Sequence, residues 1–166
     1  MILGLAGWSG SGKTSLIKGI IPHLNAMNIS VSTLKHAHKD FEVDKPGKDS
    51  YIHRESGAEA TLISSSKKFA LIQNYKNDKE LSLKDLLKML MPVDLIIVEG
   101  WKNEKIKKLE VFRQELNKPL LAKKDNNIIA IATNNKNINI ENKNILDLNN
   151  HNEIAIYIKN LIIKDT

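Results

Sequence analysis

The chain has 166 residues, enough for one domain with a buried core, and 42% of them are hydrophobic. The net charge is +6 at pH 7, but the lysines are scattered and aromatic residues make up only 5% of the chain, which does not favour nucleic-acid binding. No apolar run approaches the roughly 18 residues of a membrane span, cysteine is absent and the first residues do not resemble a secretory signal, so we expect a cytoplasmic protein without disulfides.

The first predicted elements are a strand, a helix and a second strand. Residues 2–6 are apolar and predict a buried strand. Apolar positions with a 3.6-residue period predict a helix from Gly12 to about Asn25, with a kink or an early end at Pro22. Residues 29–34 predict the second strand.

The rest of the chain continues this alternation. In order, we predict a charged loop at 35–50, a short helix at 50–56, two strands at 60–64 and 69–73 joined by a turn, an amphipathic helix at 81–91, a strand at 93–100, a short edge strand at 109–112, a buried strand at 128–133, a short strand at 145–148 and a closing helix at 151–163. This pattern predicts a three-layer α/β fold with a mostly parallel central sheet and a single domain over residues 1–166.

A phosphate-binding loop is predicted directly after the first strand. Its residues fit the pattern G-x-x-x-x-G-K-[ST] and are Gly7, Trp8, Ser9, Gly10, Ser11, Gly12, Lys13 and Thr14. The glycines let backbone N–H groups turn towards a phosphate, and the following helix contributes the positive end of its dipole. Lys13 can reach the β- and γ-phosphates, the Thr14 hydroxyl can bind Mg²⁺, and Ser15 continues the site. The alternative is a glycine-rich turn without a ligand.

A carboxylate at the end of the most apolar strand is the second candidate. Glu99 follows the apolar residues 95–98, as in a Walker B strand, although most such strands end in Asp. Glu99 could hold Mg²⁺ through water or orient the attacking water; the alternative is a solvated strand end. Gly100 suggests a close backbone approach. Asp94, at the other end of the strand, is interpreted as structural.

The charged loop at 35–50 provides further candidates. The loop contains possible phosphate and metal ligands, which are Lys35, His36, His38, Asp40, Asp44 and Lys48. The pair His36-x-His38 could also bind a transition metal, and the loop could instead be a charged surface without a ligand.

A base-reading position is expected after the strand at 128–133. Asn135 and Lys136 match the start of an N-K-x-D pattern, but Ile138 replaces the Asp that would contact the guanine N1 and N2 donors. The pattern alone therefore does not establish guanine over adenine. Asn134, directly at the end of the strand, is the better placed side chain.

These motifs together resemble the molybdopterin-guanine dinucleotide biosynthesis protein B (MobB) family. The segments that carry the resemblance are 7–14, 35–38, 44–51, 53–54, 57–58 and 98–102. The resemblance covers the chain from Met1 to about Thr133. Two departures are Trp101, where the family more often has Phe, and Asn134, where it more often has Asp.

The resemblance implies a dimeric P-loop GTPase that assists the guanylyltransferase attaching GMP to molybdopterin. It implies catalytic roles for Lys13, Glu99 and Asp44, with Mg²⁺ held by Thr14, Glu99 and Asp44. The nucleotide-binding residues expected for GTP are Gly7, Ser9, Gly10, Ser11, Gly12, Lys13, Thr14, Ser15, Lys35, His36, Gly100 and Asn134. The expected partners are GTP, the guanylyltransferase, molybdopterin and a second copy of the chain.

Two alternatives remain for the function. The protein could be an adaptor that binds nucleotide and docks on the guanylyltransferase without needing hydrolysis. It could also be a small-molecule kinase, which the scarcity of arginine disfavours because Arg54 and Arg113 are the only arginines available for a lid.

Overall fold

The structure is a computed structural model that describes residues 1–37, 41, 43–75, 79–135 and 137–165. The described residues form two compact units, one of Met1–His36 with Leu87–Thr166 and one of Ala37–Leu86. The prediction of a single domain stays a prediction. In the same residues no helix is both long and apolar enough to cross a membrane.

Strands and helices alternate along the described chain much as the sequence predicts. They are β1 (Ile2–Ala6), α1 (Lys13–Ala26), β2 (Val31–Lys35), α2 (Asp49–Glu55), β3 (Ala60–Ser64), β4 (Phe69–Gln73), α3 (Leu83–Leu87), β5 (Leu95–Glu99), β6 (Lys108–Phe112), β7 (Ile128–Thr133), β8 (Asn144–Asp147) and α4 (His151–Asp165). Two short 3₁₀ turns, Gln114–Leu116 and Leu121–Lys123, lie between β6 and β7.

The first unit is built on a parallel sheet. Among the residues described, six strands are ordered β2-β5-β1-β6-β7-β8, and each neighbouring pair is parallel. The predicted α/β fold with a mostly parallel sheet is therefore confirmed. Because parallel strands share a direction, the residues that follow β1, β2, β5, β6 and β7 emerge at one edge, where α/β proteins bind ligands.

Two long helices cover the sheet with their apolar faces. The buried side chains are Leu16, Ile20 and Leu24 of α1 and Ile154, Ala155 and Ile158 of α4, in one cluster with strand residues such as Leu3, Ile97 and Leu109. Burying each large aliphatic side chain contributes about 1.5–3 kcal/mol. This core fixes the strand ends that carry the candidate site.

The interpretation of residues 109–112 as an edge strand is wrong. β6 lies between β1 and β7, and all five of its residues are buried. The alternating polar residues that suggest an edge have partners inside the protein. Lys108 Nζ lies 2.7 Å from Asp125 Oδ2, and the Glu110 carboxylate accepts the N–H groups of Leu121 and Ala122, both at 2.8 Å.

The helix α1 ends at Ala26, within one residue of the predicted end at about Asn25, and does not end early at Pro22. Its last turn closes through the Met27 N–H to the His23 and Leu24 carbonyls. α3 is shorter than the predicted 81–91. Ser82 caps its first turn, since Ser82 Oγ accepts the Asp85 N–H at 3.2 Å.

The second unit contains α2 and an antiparallel hairpin of β3 and β4, whose bounds match the prediction. Leu62 pairs with Leu71 and Ser64 with Phe69, so these side chains share one face. That face is strongly exposed: Leu62 is 63%, Phe69 61% and Leu71 49% accessible.

Candidate functional site

The loop between β1 and α1 has the backbone shape that the glycine pattern predicts. Gly7 has a backbone φ of 141° and Gly12 one of 101°, values that residues with a Cβ rarely adopt. A Cβ on Gly7 would also lie 2.6 Å from the Val111 carbonyl oxygen. Gly12 is the N-cap of α1 and has no side chain to bond the first-turn N–H groups, so those donors remain suited to an anion.

Lys13 folds back over the loop that precedes it. Its Nζ donates to the carbonyl oxygens of Gly7 at 2.9 Å and Trp8 at 3.1 Å. Burial lowers the pKa of Lys13, and the charges of Lys102 and Lys35 lower it further, while Glu99 opposes them. The ammonium is therefore incompletely solvated, which favours its interaction with a phosphate group.

The hydroxyl side chains in and after the loop differ in their exposure to solvent. Ser9, Thr14 and Ser15 are exposed, whereas Ser11 is only 1% exposed. The Ser11 hydroxyl has no hydrogen-bond partner among the described residues. Thr14 lies in the first turn of α1, next to Lys13, as the prediction of a Mg²⁺ ligand requires.

The ends of β2 and β5 lie beside the phosphate-binding loop. We call the loop and these strand ends, residues 7–14, 35–36 and 99–101, the phosphate side of the site. Lys35 and Glu99 are aligned in the β2–β5 register, and the His36 N–H donates to the Glu99 carbonyl at 2.8 Å. A Cβ on Gly100 would lie 2.7 Å from His36 Cβ, which confirms the predicted close approach. The His36 and Trp101 rings lie 5.1 Å apart, centroid to centroid.

Thr14 and Glu99 carry the hydroxyl and carboxylate oxygens that suit Mg²⁺. Among the described residues no cluster of three or more His, Asp or Glu side chains could hold a metal by itself. Mg²⁺ usually binds one or two protein oxygens together with substrate phosphates, and Thr14 with Glu99 supplies that number. In the predicted pair with His36, His38 lies outside the described residues, as does Asp40.

Asp44 belongs to the second unit, where it supports the start of α2. Its Oδ1 accepts the Lys45 N–H at 2.9 Å and the Ser50 hydroxyl at 3.1 Å. The Arg54 guanidinium lies 3.8 Å from the Glu55 carboxylate and over the Tyr51 ring. The Mg²⁺ role of Asp44 stays a prediction.

The segment after β6 contacts the phosphate-binding loop, and the sequence reasoning missed it. Arg113 Nε donates to the Ser11 carbonyl at 3.2 Å, and its guanidinium would be 3.6 Å from a Cβ on Gly12. Trp8 Nε1 donates to the Pro119 carbonyl at 2.8 Å. An arginine placed directly after a buried strand was the available signal, but it was hidden because that strand was interpreted as an edge.

The same segment reaches the end of β7. Asn134 Nδ2 donates to Glu115 Oε1 at 2.6 Å, and the Asn135 amide donates to Gln114 Oε1. Asn134 Oδ1 is buried and has no partner among the residues that the structure describes. Lys136, the second member of the N-K pattern, lies outside those residues. We call the residues Arg113, Gln114, Glu115 and Asn134 the base side of the site.

A cavity at the opposite edge of the sheet is not a candidate for the site. It has a volume of about 450 Å³ and is lined by Met1, Val93, Asp94, Ile162 and Asp165. The Asp94 carboxylate accepts the N–H of Ser30 at 2.7 Å and its hydroxyl at 2.5 Å. Its predicted structural role agrees with these contacts, which tie β5 to the start of β2.

A phosphate-binding loop after a central parallel strand, with an acidic residue ending the neighbouring strand, defines the P-loop NTPase fold class. Within that class, residues 2–134 match the family described as molybdopterin guanine dinucleotide synthesis protein B. The chain belongs to this MobB family. Family membership assigns it a role in the synthesis of molybdopterin guanine dinucleotide.

Individual relatives agree with this assignment. The molybdopterin-guanine dinucleotide biosynthesis adapter protein of Escherichia coli (strain K12) is 42% identical over 135 residues, covering 80% of this chain and 77% of that protein. The protein of the same description from Haemophilus influenzae is 38% identical over 161 residues, covering 96% and 88%. A crystal structure of molybdopterin-guanine biosynthesis protein B superimposes with a TM-score of 0.76 at 25% identity, covering 98% and 99%.

Proposed function

We propose that the protein binds GTP with Mg²⁺, hydrolyses it slowly and assists the attachment of GMP to molybdopterin. The observation that carries the proposal is the position of Lys13. It lies on the phosphate-binding loop, and its pKa responds to Lys35 and Glu99 from the neighbouring strand ends. An ammonium and a carboxylate beside one phosphate-binding loop are the groups that phosphoryl transfer requires.

Each residue has a distinct role in this proposal. Lys13 and the loop N–H groups bind the β- and γ-phosphates, and Lys35 adds positive charge at the same edge. Thr14 and Glu99 would hold Mg²⁺, which neutralises charge on the phosphate oxygens when bound. Glu99 would also orient the attacking water, and Asp44 would serve as an outer Mg²⁺ ligand.

Steady-state GTP hydrolysis with Mg²⁺ tests these roles. We expect Lys13→Ala and Glu99→Ala to lose most of the turnover, whereas Lys18→Ala and Glu104→Ala, at exposed positions, keep it. If both site variants hydrolyse GTP at the parent rate, the site assignment is wrong.

A second candidate is a nucleotide-binding adaptor that docks on the guanylyltransferase and does not need hydrolysis. The observation that favours it is the word adapter in the names of both relatives. GTP hydrolysis measured while the guanylyltransferase is added separates the two candidates. A large stimulation supports the GTPase; tight binding that is independent of nucleotide and leaves the rate unchanged supports the adaptor.

The proposed functional form is a homodimer. The apolar face of the β3–β4 hairpin, with Leu62, Phe69 and Leu71, supports it, because a two-stranded sheet is marginally stable alone and large exposed apolar patches usually mark interfaces. We expect Leu71→Lys to shift the protein towards monomer in light scattering. Lys67→Ala, in the turn of the same hairpin, is the control; equal masses for the parent and both variants would oppose this interface.

A further inference from the structure

Asn134 stands where a carboxylate would read guanine without ambiguity. An Asp offers only acceptors, but an Asn side chain can turn either its carbonyl oxygen or its NH₂ group towards a base. In the first orientation it accepts the N1 and N2 hydrogens of guanine. In the second it donates to the carbonyl oxygen that xanthine has in place of the guanine amine. The residue type alone therefore leaves the base preference open.

The neighbour of Asn134 removes this ambiguity. Glu115 Oε1 lies 2.6 Å from the Asn134 amide nitrogen, and an ionised carboxylate has no hydrogen to donate, so the nitrogen must face Glu115. A glutamate is ionised at neutral pH, and the pKa of Glu115 is lowered further by a hydrogen bond from its own backbone N–H and then by one from the Asn134 amide.

The other end of the amide is then left as an acceptor. Asn134 Oδ1 is buried and unpaired within the described chain. A buried acceptor without a partner costs about 1–3 kcal/mol, and a ligand N–H in that position would recover this free energy. The next amide along the chain offers no free acceptor of this kind, because Asn135 Oδ1 accepts the Asn137 N–H at 2.9 Å and the Asn135 amide nitrogen donates to Gln114 Oε1.

We propose that Glu115 is a specificity-determining positioning residue, which holds the Asn134 amide so that only its carbonyl oxygen faces the base and so makes this site select guanine. The inference rests on the proposed GTP-binding function. It assigns the choice of base to a pair of residues, not to Asn134 alone, and it predicts that this chain rejects xanthine although it lacks the family's more usual Asp.

Competition between GTP and xanthosine triphosphate tests the proposal. Binding is followed by the fluorescence of Trp8 in a Trp101→Phe background, where Trp8 is the only tryptophan. We expect the parent to prefer GTP, and Glu115→Gln to reduce the ratio of the two affinities about 10-fold, because the Gln amide lets Asn134 turn around. Glu141→Gln, at an exposed position, makes the same charge change and should leave the ratio unaltered.

A swapped pair separates positioning from a general structural effect. In Asn134→Asp with Glu115→Gln, the Gln amide can donate to the new carboxylate, so an acceptor again faces the base. We expect this double variant to regain the preference for GTP, and all variants to bind pyrophosphate like the parent, since the phosphate-binding loop is unchanged.

The failures are distinguishable. If the parent binds GTP but Glu115→Gln keeps the parent ratio, or the double variant does not regain it, the positioning role is wrong and GTP binding stands. If the parent binds neither triphosphate, the proposed function fails and this inference fails with it.

Discussion

The phosphate side and the base side of the site are held together by different interactions. On the phosphate side, strand register places Lys35 next to Glu99, and a backbone hydrogen bond of 2.8 Å joins His36 to Glu99. On the base side, side chains make the contacts: Arg113 reaches Ser11, and Glu115 reaches Asn134, 19 residues further along the chain. The first side depends on the sheet, and the second depends on one connecting segment.

This difference separates the properties that each side can control. Backbone register is common to any sequence that forms the sheet, so the phosphate side should tolerate many substitutions apart from its charged groups. The base side depends on individual side-chain hydrogen bonds, each worth about 0.5–3 kcal/mol. We therefore expect substitutions on the two sides to affect different ligands: polyphosphates on one side and bases on the other.

The largest expected effect is that of Lys13→Ala. The variant loses the ammonium that would pair with two phosphate oxygens, and hydrogen bonds to charged groups contribute about 1.5–3 kcal/mol each. We expect the affinities for GTP and for pyrophosphate to fall equally, by about 100-fold, or about 3 kcal/mol. Isothermal titration calorimetry measures both.

Lys18→Ala, one turn later on the exposed surface of α1, should bind both ligands like the parent. If Lys13→Ala lost affinity for GTP but kept its affinity for pyrophosphate, Lys13 would act on the base side. The site would then not divide into two sides that bind different parts of the ligand.

The second prediction concerns the anchor of the connecting segment. Glu110 is fully buried and accepts the N–H groups of Leu121 and Ala122, both at 2.8 Å. Glu110→Ala leaves both donors without an acceptor and opens a cavity, so we expect the free energy of unfolding to fall by about 2–3 kcal/mol. Urea denaturation followed by circular dichroism measures the change.

Under native conditions the same variant should lose base selectivity while it keeps its affinity for pyrophosphate. Glu141→Ala, at an exposed position, controls for the loss of one negative charge. An unfolding free energy within about 0.5 kcal/mol of the parent, the range of neutral surface substitutions, would show that Glu110 does not anchor the segment.

The phosphate side was largely predictable from the sequence because its signals are local. The glycines of residues 7–14 and the apolar residues before Glu99 each define a strand end with a fixed neighbour. The hairpin of β3 and β4 was predicted with its correct bounds for the same reason. These patterns depend on residues that are close together in the chain.

The base side was not predictable because its partners are distant and its strand looks exposed. Lys108 and Glu110 give β6 the alternation of an edge strand, and nothing local shows that Asp125 and the turn at Leu121–Lys123 cover those two side chains. Once β6 was placed at the edge, Arg113 could not be placed beside the phosphate-binding loop. Buried polar residues of this kind give the sequence the same alternating pattern as a strand with one face exposed to solvent.

The third prediction tests the charge at the end of β5. Glu99→Gln keeps the shape of the side chain but removes the charge that would hold Mg²⁺. We expect the stimulation of GTP binding by Mg²⁺ to fall about 10-fold, since one charge-assisted contact is worth roughly 1.5 kcal/mol. Binding of pyrophosphate without Mg²⁺ should stay the same or tighten slightly, because Glu99 no longer offsets the charge of Lys13.

Calorimetric titrations in Mg²⁺ and in EDTA measure this difference. Glu104→Gln is the matched control, because Glu104 is exposed and carries the same charge. An unchanged Mg²⁺ dependence in Glu99→Gln would show that Glu99 is not the metal ligand and that another group on the phosphate side binds Mg²⁺.

The smallest expected effect is a dependence of affinity on pH. Burial lowers the pKa of free Lys13, with Lys102 and Lys35 adding to the effect and Glu99 opposing it. A bound polyphosphate favours the charged ammonium and therefore raises this pKa, so the complex holds more protons than the free protein between the two values. By linkage the affinity must fall as the pH rises through that window, and it is constant below it.

We expect pyrophosphate affinity in the parent to weaken by a few-fold as the pH rises towards 10.5, the ordinary pKa of lysine. Lys13→Arg, whose guanidinium stays charged over this range, corrects for titration of the ligand itself, because that contribution is common to both proteins. If the two proteins show the same slope, Lys13 does not change its protonation on binding. The phosphate side would then bind its ligand with an ammonium that is charged throughout.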